Sequence, residues 1–381
     1  MEHEPPIYLD YNASTPIAPS VAAAMQPFLN QHFGNPSSSH WAGRPARDSI
    51  ETARGQIASL LECNTEEIVL TSGGSEANNQ AIKGVFLGSA APPHIIISTA
   101  EHPAVTEPCR MMATLGATIT KIPVDSYGLV DPDDVRRAIR SDTALISVMH
   151  ANNEVGTIQP IAAIAGIARE HGVLCHTDAA QSVGKIQSTV DGLGVDLLSL
   201  AGHKLYAPKG IGALFVRRGV TLTSLIHGGN HERGQRAGTE SALLAVGLGA
   251  ACHLAVTEPC FGHMLELRDR LWQRLKYHLG GRVQLNGHPT ERLPNTLNIS
   301  FQGLIADKLL SQLPSVAAST GSACHAGLPS ASPVLTAMGL PPDQGLGAVR
   351  FSLGRNTTED EIDTVVKKIV KCVTDPATMS A

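Results

Sequence analysis

The chain has 381 residues, 43% of them apolar and 17% charged, with 29 basic side chains against 34 acidic ones and a net charge of −5. That length exceeds what one hydrophobic core usually supports, so two domains of a soluble globular protein are expected. The slightly acidic balance argues against nucleic acid or an anionic membrane as the main partner, and no apolar run approaches the ~20 residues of a membrane span.

The opening MEHEPPIYLD lacks a basic n-region, an apolar h-region and an Arg/Ser-rich stretch, so a cytoplasmic protein is expected. Short apolar runs read as strands at 67–71 (EIVLT), 94–98 (HIIIS), 144–150 (ALISVMH), 173–178 (VLCHTD), 195–200 (VDLLSL) and 212–216 (GALFV). Helical patterns lie between them, as at 78–87 and 131–139. This alternation predicts an α/β domain with a mostly parallel, doubly covered sheet. The segment 228–238 (GGNHERGQRAG) breaks the rhythm as a glycine- and charge-rich loop, and a single long helical stretch is expected over 240–279. Then come LNISF at 297–301, a Gly/Ser/Ala/Pro-rich loop at 317–333, VRFSL at 349–353 and a C-terminal helix opening near Thr358. The run TTEDE at 357–361 reads as a capping box with acids on the first turn. A domain boundary is placed near residue 255.

Lys204 lies in LSLAGHKLYAPKG, just past a strand that reads as fully buried. Desolvation and the neighbouring His203 would lower its pKa and favour imine formation with an aldehyde. Taken alone it reads equally as a surface lysine at a strand end. Asp178 ends the strand VLCHTD, where a carboxylate points into the ligand crevice of a parallel sheet, although a helix cap is the commoner use of such an Asp. In pyridoxal phosphate (PLP) enzymes an acid so placed keeps the pyridine nitrogen protonated. In TSGGSEANN, two glycines turn the chain and Ser75 opens a helix, an arrangement suited to cradling phosphate. It is not an NTP-binding P-loop. His102, in STAEHPAV, follows another strand and could stack on a ring and move protons, or simply cap a helix. His203 can donate to phosphate, and Asn153 and Gln181 can donate to a phenolic oxygen. Arg350 in VRFSLGR could fork onto a carboxylate, although a structural strand arginine is a common alternative. His227 and His231 are four apart, but among glycines in a loop, and are not read as a zinc site.

The seven cysteines, Cys63, Cys109, Cys175, Cys252, Cys260, Cys324 and Cys372, form no C-x-x-C, which opposes a disulfide scaffold or a zinc ribbon. Each is expected to be a small buried hydrophobe. Cys324 is the exception. Its surroundings, ASTGSACHAGLPSASP, cannot pack a core, so it is expected on an exposed, mobile loop as a candidate nucleophile beside His325.

In order, YLDYNASTP, FGNPSSSH, TSGGSEANN, AEHPAV, HANNEVG, HTDAAQSVGK, GHKLYAPKG, RAGTE, RLPNTLNISF, TGSACHAG and VRFSLGRNTTEDEID together resemble a cysteine desulfurase of the class V aminotransferase group of PLP enzymes. The resemblance runs from about Ile7 to Val373. It implies the fold type I, aspartate-aminotransferase-like architecture: a large PLP-binding domain over 15–255 with a mixed, mostly parallel sheet, and a small α+β domain over 1–14 and 256–381. The small domain would carry the mobile catalytic cysteine loop at about 318–333. It implies that Lys204 binds PLP covalently, Asp178 pairs with the pyridine nitrogen and His102 stacks on the ring. Asn153 and Gln181 would contact the phenolic oxygen. Gly74, Ser75 and His203 would hold the phosphate, with Thr239 reaching in from the second subunit of a homodimer. Arg350, with Asn153, would bind the substrate carboxylate. Cys324 would take sulfur from L-cysteine, leaving L-alanine and a persulfide for iron–sulfur cluster assembly or thio-modification. No intrinsic metal is implied, though in some relatives this cysteine shares a nascent iron–sulfur cluster with a scaffold protein.

Two departures bear on this. Many relatives carry a hydroxyl residue where this chain has Ala201, so one phosphate contact is missing or replaced. The loop reads SACHAGLPSASP rather than S-A-C-T-S with a later Leu-Glu-Pro, and its Cys-His pair is similar to selenocysteine lyases. A selenocysteine lyase therefore stays open as the alternative. An ordinary class V aminotransferase with no role for Cys324 is a further one, and a catalytically silent scaffold is opposed by Lys204, Asp178 and Cys324 together.

Overall fold

The computed structural model describes residues 5–320 and 331–374. Cys324 and His325 lie outside the described residues. In chain order the strands are β1 (Ile7–Tyr8), β2 (Ile68–Thr71), β3 (His94–Ser98), β4 (Thr118–Ile122), β5 (Thr143–Ser147), β6 (Leu174–Asp178), β7 (Leu197–Ala201), β8 (Gly212–Val216), β9 (Val283–Asn286), β10 (Thr296–Phe301), β11 (Val316–Ala317), β12 (Ser319–Thr320) and β13 (Ala348–Ser352).

The large sheet runs β2-β8-β7-β6-β5-β3-β4, and only β8 is antiparallel to its neighbours. β2, β3, β7 and β8 are buried along their whole length and β5 and β6 over most of theirs, as their apolar runs require when helices cover both faces. The edge strand β4 (TITKI) escapes the apolar-run criterion because only Ile122 is buried in it. An edge strand with polar side chains reads as a loop from sequence and resists edge-to-edge pairing in the fold.

On one face the helix Arg44–Leu61 buries Ile50, Ala53, Ile57, Ala58 and Leu61, a stripe at helical spacing. Each such Ile or Leu contributes about 2 kcal/mol. The helix packs on Ala242–Thr257, where Gly249 permits the approach: a Cβ there would stand 2.5 Å from Ala53 Cα. The long helix expected over 240–279 is two helices, Ala242–Thr257 and Phe261–Leu279, at 78° to one another. Pro259 cannot continue the first and forces the break. The boundary placed near residue 255 falls inside the first of them. No single helix among the described residues is long and apolar enough to cross a membrane.

The second sheet, β12-β13-β10-β9, is antiparallel and lies over a separate core. That core joins Ile7 and Leu9 from the N-terminus to residues of the Phe261–Leu279 helix, β10, β13 and the C-terminal helix Glu359–Thr374. The capping box at the start of that helix is formed: Glu361 N donates to Thr358 Oγ1 and Thr358 N donates to Glu361 Oε2. Within the expected loop over 317–333, Ser319–Thr320 pairs with β13 and Ser332 caps the helix Pro333–Ala337; residues 321–330 lie outside the described residues.

Candidate active site

The sheet order reverses between β3 and β5, and the carboxyl ends of the strands there open into a crevice. A cavity of about 590 Å³ occupies it. That volume suits a cofactor-sized ligand. Its wall includes Gly74, Ser75, His102, Asn153, Asp178, Gln181, His203, Lys204 and Arg350. The nine cofactor and substrate residues expected from this subunit all line this wall; Thr239, expected to act on a second subunit, does not. It is exposed beside a neighbouring small cavity.

Lys204 follows β7 in a short 3-10 turn, and its Nζ donates to the carbonyls of Asn12 at 2.6 Å and Ala13 at 2.9 Å. Burial, reinforced by Arg350 and opposed by Asp10 and Asp178, pushes its pKa down to about 8. Asp178 ends β6. Its Oδ2 accepts from Asn78 Nδ2 at 2.7 Å and its Oδ1 from Ala180 N at 2.9 Å, so both oxygens are oriented. His102 caps the helix Pro103–Thr114 through Nδ1, which accepts from Ala104 N. An accepting Nδ1 leaves the proton of the neutral ring on Nε2. Burial holds this histidine below its usual range, with Asp178 opposing and Lys204 reinforcing. The cap and the cavity role thus coexist in one side chain.

The phosphate cradle is built from the turn before the helix Gly74–Gly88. Gly73 caps it at φ +147, and Gly212 of β8 comes so close that a Cβ there would lie 2.7 Å from Gly73 Cα. His203 Nδ1 is buried without a partner, and burial beside Lys204 and Lys209 pushes its pKa down to about 4. A buried ring nitrogen without a protein partner has a hydrogen bond to give or accept, which a phosphate oxygen would satisfy. Ala201 lines the same wall and offers no donor, while Ser72 lines it with a hydroxyl.

Arg350 extends from β13 of the second sheet. Its Nη2 donates to Asp10 Oδ1 at 2.7 Å, its Nη1 to the Asn153 carbonyl at 3.0 Å, and its Nε has no partner. Two of its five N–H groups are used for orientation, and three remain. Gln181 is on the wall, but its amide already bonds Asn12 O and Lys185 Nζ.

Sequence reasoning gave no role to Asn12, Asn78, Asp10, Glu101 or Lys185. Asn12 is the hub, donating to Thr296 Oγ1 at 2.8 Å and Asn153 O at 3.2 Å and accepting from Lys204, Gln181, Lys185 and Asn295. Glu101, beside His102, is buried, and burial pushes its carboxyl up to about 8. The quoted motifs YLDYNASTP, TSGGSEANN, AEHPAV and HTDAAQSVGK contain all five, so position within a motif was the available signal. Of the six described cysteines, Cys109, Cys175 and Cys252 are buried and Cys63, Cys260 and Cys372 half-buried, and none forms a disulfide with another.

An acid at the end of a central strand, a half-buried lysine with a lowered pKa on the same wall, and a glycine turn at a helix start fit PLP. The cavity volume and the unpartnered His203 nitrogen agree. Residues 7–365 match the family model described as Aminotransferase class-V. The chain belongs to the class V aminotransferase family of PLP-dependent enzymes, in its cysteine desulfurase branch. It is 46% identical over 379 residues to the cysteine desulfurase IscS of Dictyoglomus turgidum, covering 98% of this chain and 96% of that one. It is 44% identical to the IscS of Methanosarcina thermophila, covering 98% and 93%. Among solved structures, a NifS-like protein superposes with a TM-score of 0.90 at 34% identity, over 97% of this chain and 99% of that one. SspA in complex with cysteine superposes at 0.81 and 37% identity, over 92% and 100%.

Proposed function

We propose that the protein is a PLP-dependent cysteine desulfurase, converting L-cysteine to L-alanine with transfer of sulfur to Cys324. The carrying observation is Lys204 and Asp178 on one cavity wall with the free donors of Arg350, in a chain nearly half identical to enzymes of that name. When bound, PLP supplies an electron sink that eases loss of the substrate's α-proton. Lys204 would hold the cofactor covalently and Asp178 would keep the pyridine nitrogen protonated. Gly74, Ser75 and His203 would hold the phosphate. His102 would lie on the ring, its Nε2 carrying a proton. Asn153 and Gln181 would face the phenolic oxygen. Arg350, oriented by Asp10 and the Asn153 carbonyl, would fork onto the substrate carboxylate.

The Cys324 thiolate would attack the substrate sulfur. An S–S bond forms, the Cβ–S bond breaks with its electron pair left on carbon, and two protons complete alanine. The balance is L-cysteine plus enzyme thiol giving L-alanine plus enzyme persulfide. That persulfide would pass to a sulfur acceptor or iron–sulfur scaffold. Thr239, exposed and outside its own cavity, is proposed to serve the phosphate of a second copy in a homodimer. A cytoplasmic location and the division at about residue 255 are proposed with it; the two sheets with separate cores support that division.

Incubation with L-cysteine and a thiol reductant should release alanine and sulfide in equal amounts, and Cys324→Ala should abolish both. A keto acid in place of alanine, or a wild-type protein inert to cysteine but active on selenocysteine, would overturn this reading.

A further inference from the structure

Lys185 is buried behind the cavity and belongs neither to its wall nor to any step above. Its Nζ donates to Gln181 Oε1 at 2.8 Å and to Asn12 Oδ1 at 3.2 Å. Both acceptors are neutral amide oxygens. Burying a lysine for packing alone is unfavourable where a Met of similar shape would do. Burial, with Lys204 and Arg350 nearby, pushes its pKa down to about 7. As ammonium or as amine, Nζ can still donate to both oxygens.

A Gln side chain has two amide orientations of nearly equal shape, and its hydrogen bonds decide between them. Here Nε2 of Gln181 donates to Asn12 O at 3.0 Å while Oε1 accepts from Lys185. A flipped amide would set oxygen against the Asn12 carbonyl and N–H against the Lys185 donor. The second N–H of Nε2 is the donor left for the cavity that Gln181 lines. On the other side, Lys185 and Asn295 together occupy Asn12 Oδ1, and the Asn12 carbonyl accepts from Lys204 at 2.6 Å.

We propose that Lys185 is a positioning residue: it fixes the Gln181 amide with its N–H side toward the cavity. The inference rests on the PLP reading of the cavity and deepens it.

The test is a double-mutant cycle of Lys185→Met, Gln181→Ala and the pair. It is read by titrating apo-protein with PLP and by the visible absorption band of the bound cofactor. Lys185→Met should weaken PLP binding about tenfold and shift the band, whereas in the Gln181→Ala background it should change binding less than about twofold. Should the methionine variant not fold, Lys185→Gln enters the same cycle and its coupling to Gln181 is read in the same way. Fold-changes that multiply in the pair, or a single variant with unaltered affinity and band, would overturn the positioning role alone, provided the wild type takes up PLP. A wild-type protein that takes up none would overturn the cofactor reading as well.

Discussion

Lys204 is held by two backbone carbonyls and no carboxylate, among buried cations, and its pKa falls to about 8 from the ~10.4 of a free lysine. Only the neutral amine attacks an aldehyde. PLP uptake by the apo-protein should therefore accelerate as pH rises and level off just above about 8. Stopped-flow absorbance across that range checks it, and a rate still climbing near the pKa of a free lysine would contradict it. The residue types of this site were legible because PLP needs a lysine and an acid at strand ends, and the strands announce themselves as apolar runs. Asn12 and Lys185 were not legible. Their roles come from hydrogen bonds spanning 173 residues between them, and an amide or a buried lysine has no local pattern.

At the scale of elements, the glycine- and charge-rich loop after β8 turns several of its charges inward. Glu232 and Arg233 take left-handed φ values of 45° and 56°, which turn the Glu232 carboxylate inward. There it accepts from Arg54 Nη1 and Nη2 at 2.8 and 2.9 Å and from Leu70 N at 2.8 Å. Arg236 of the same loop bonds Glu76 on the first turn of the phosphate-cradle helix, and Glu76 accepts from Ser72 N. The loop that carries Thr239 is thus fastened to the cradle by buried or half-buried charges. Glu232→Gln keeps the shape but leaves the buried Arg54 charge with only the exposed Glu51 carboxylate at 3.3 Å as a counter-charge, so stability should fall by about 3 kcal/mol. Urea denaturation measures this, and an unchanged midpoint would refute the clamp. Sequence cannot distinguish such a glutamate from a solvated one, because its burial depends on Arg54, 178 positions away.

At the scale of the whole molecule, the cavity closes only where the two sheets meet. Asp10 and Asn12 come from the N-terminal segment, Asn153 from the turn after β5, Asp178 from the end of β6, and Arg350 from the second sheet. Asn12→Ala would strip partners from Thr296, Asn295 and Lys185 at once, and should lower stability by roughly 3 kcal/mol. PLP release should coincide with loss of helical circular dichroism in a single, earlier thermal transition. Release well below an unaltered unfolding transition would mean that Asn12 serves the cofactor alone. The sequence by itself determined the α/β class, the central strands, the C-terminal capping box and, through its ordered motifs, the family and the cavity residues. These are signals of short range or of fixed residue type. Only the tertiary structure decided that the 240–279 stretch breaks at Pro259, that TITKI is the sheet's edge, that Glu232 is buried, and that Asn12 and Lys185 stand behind Lys204. Each of those depends on which distant segment packs alongside, and local pattern carries no record of that.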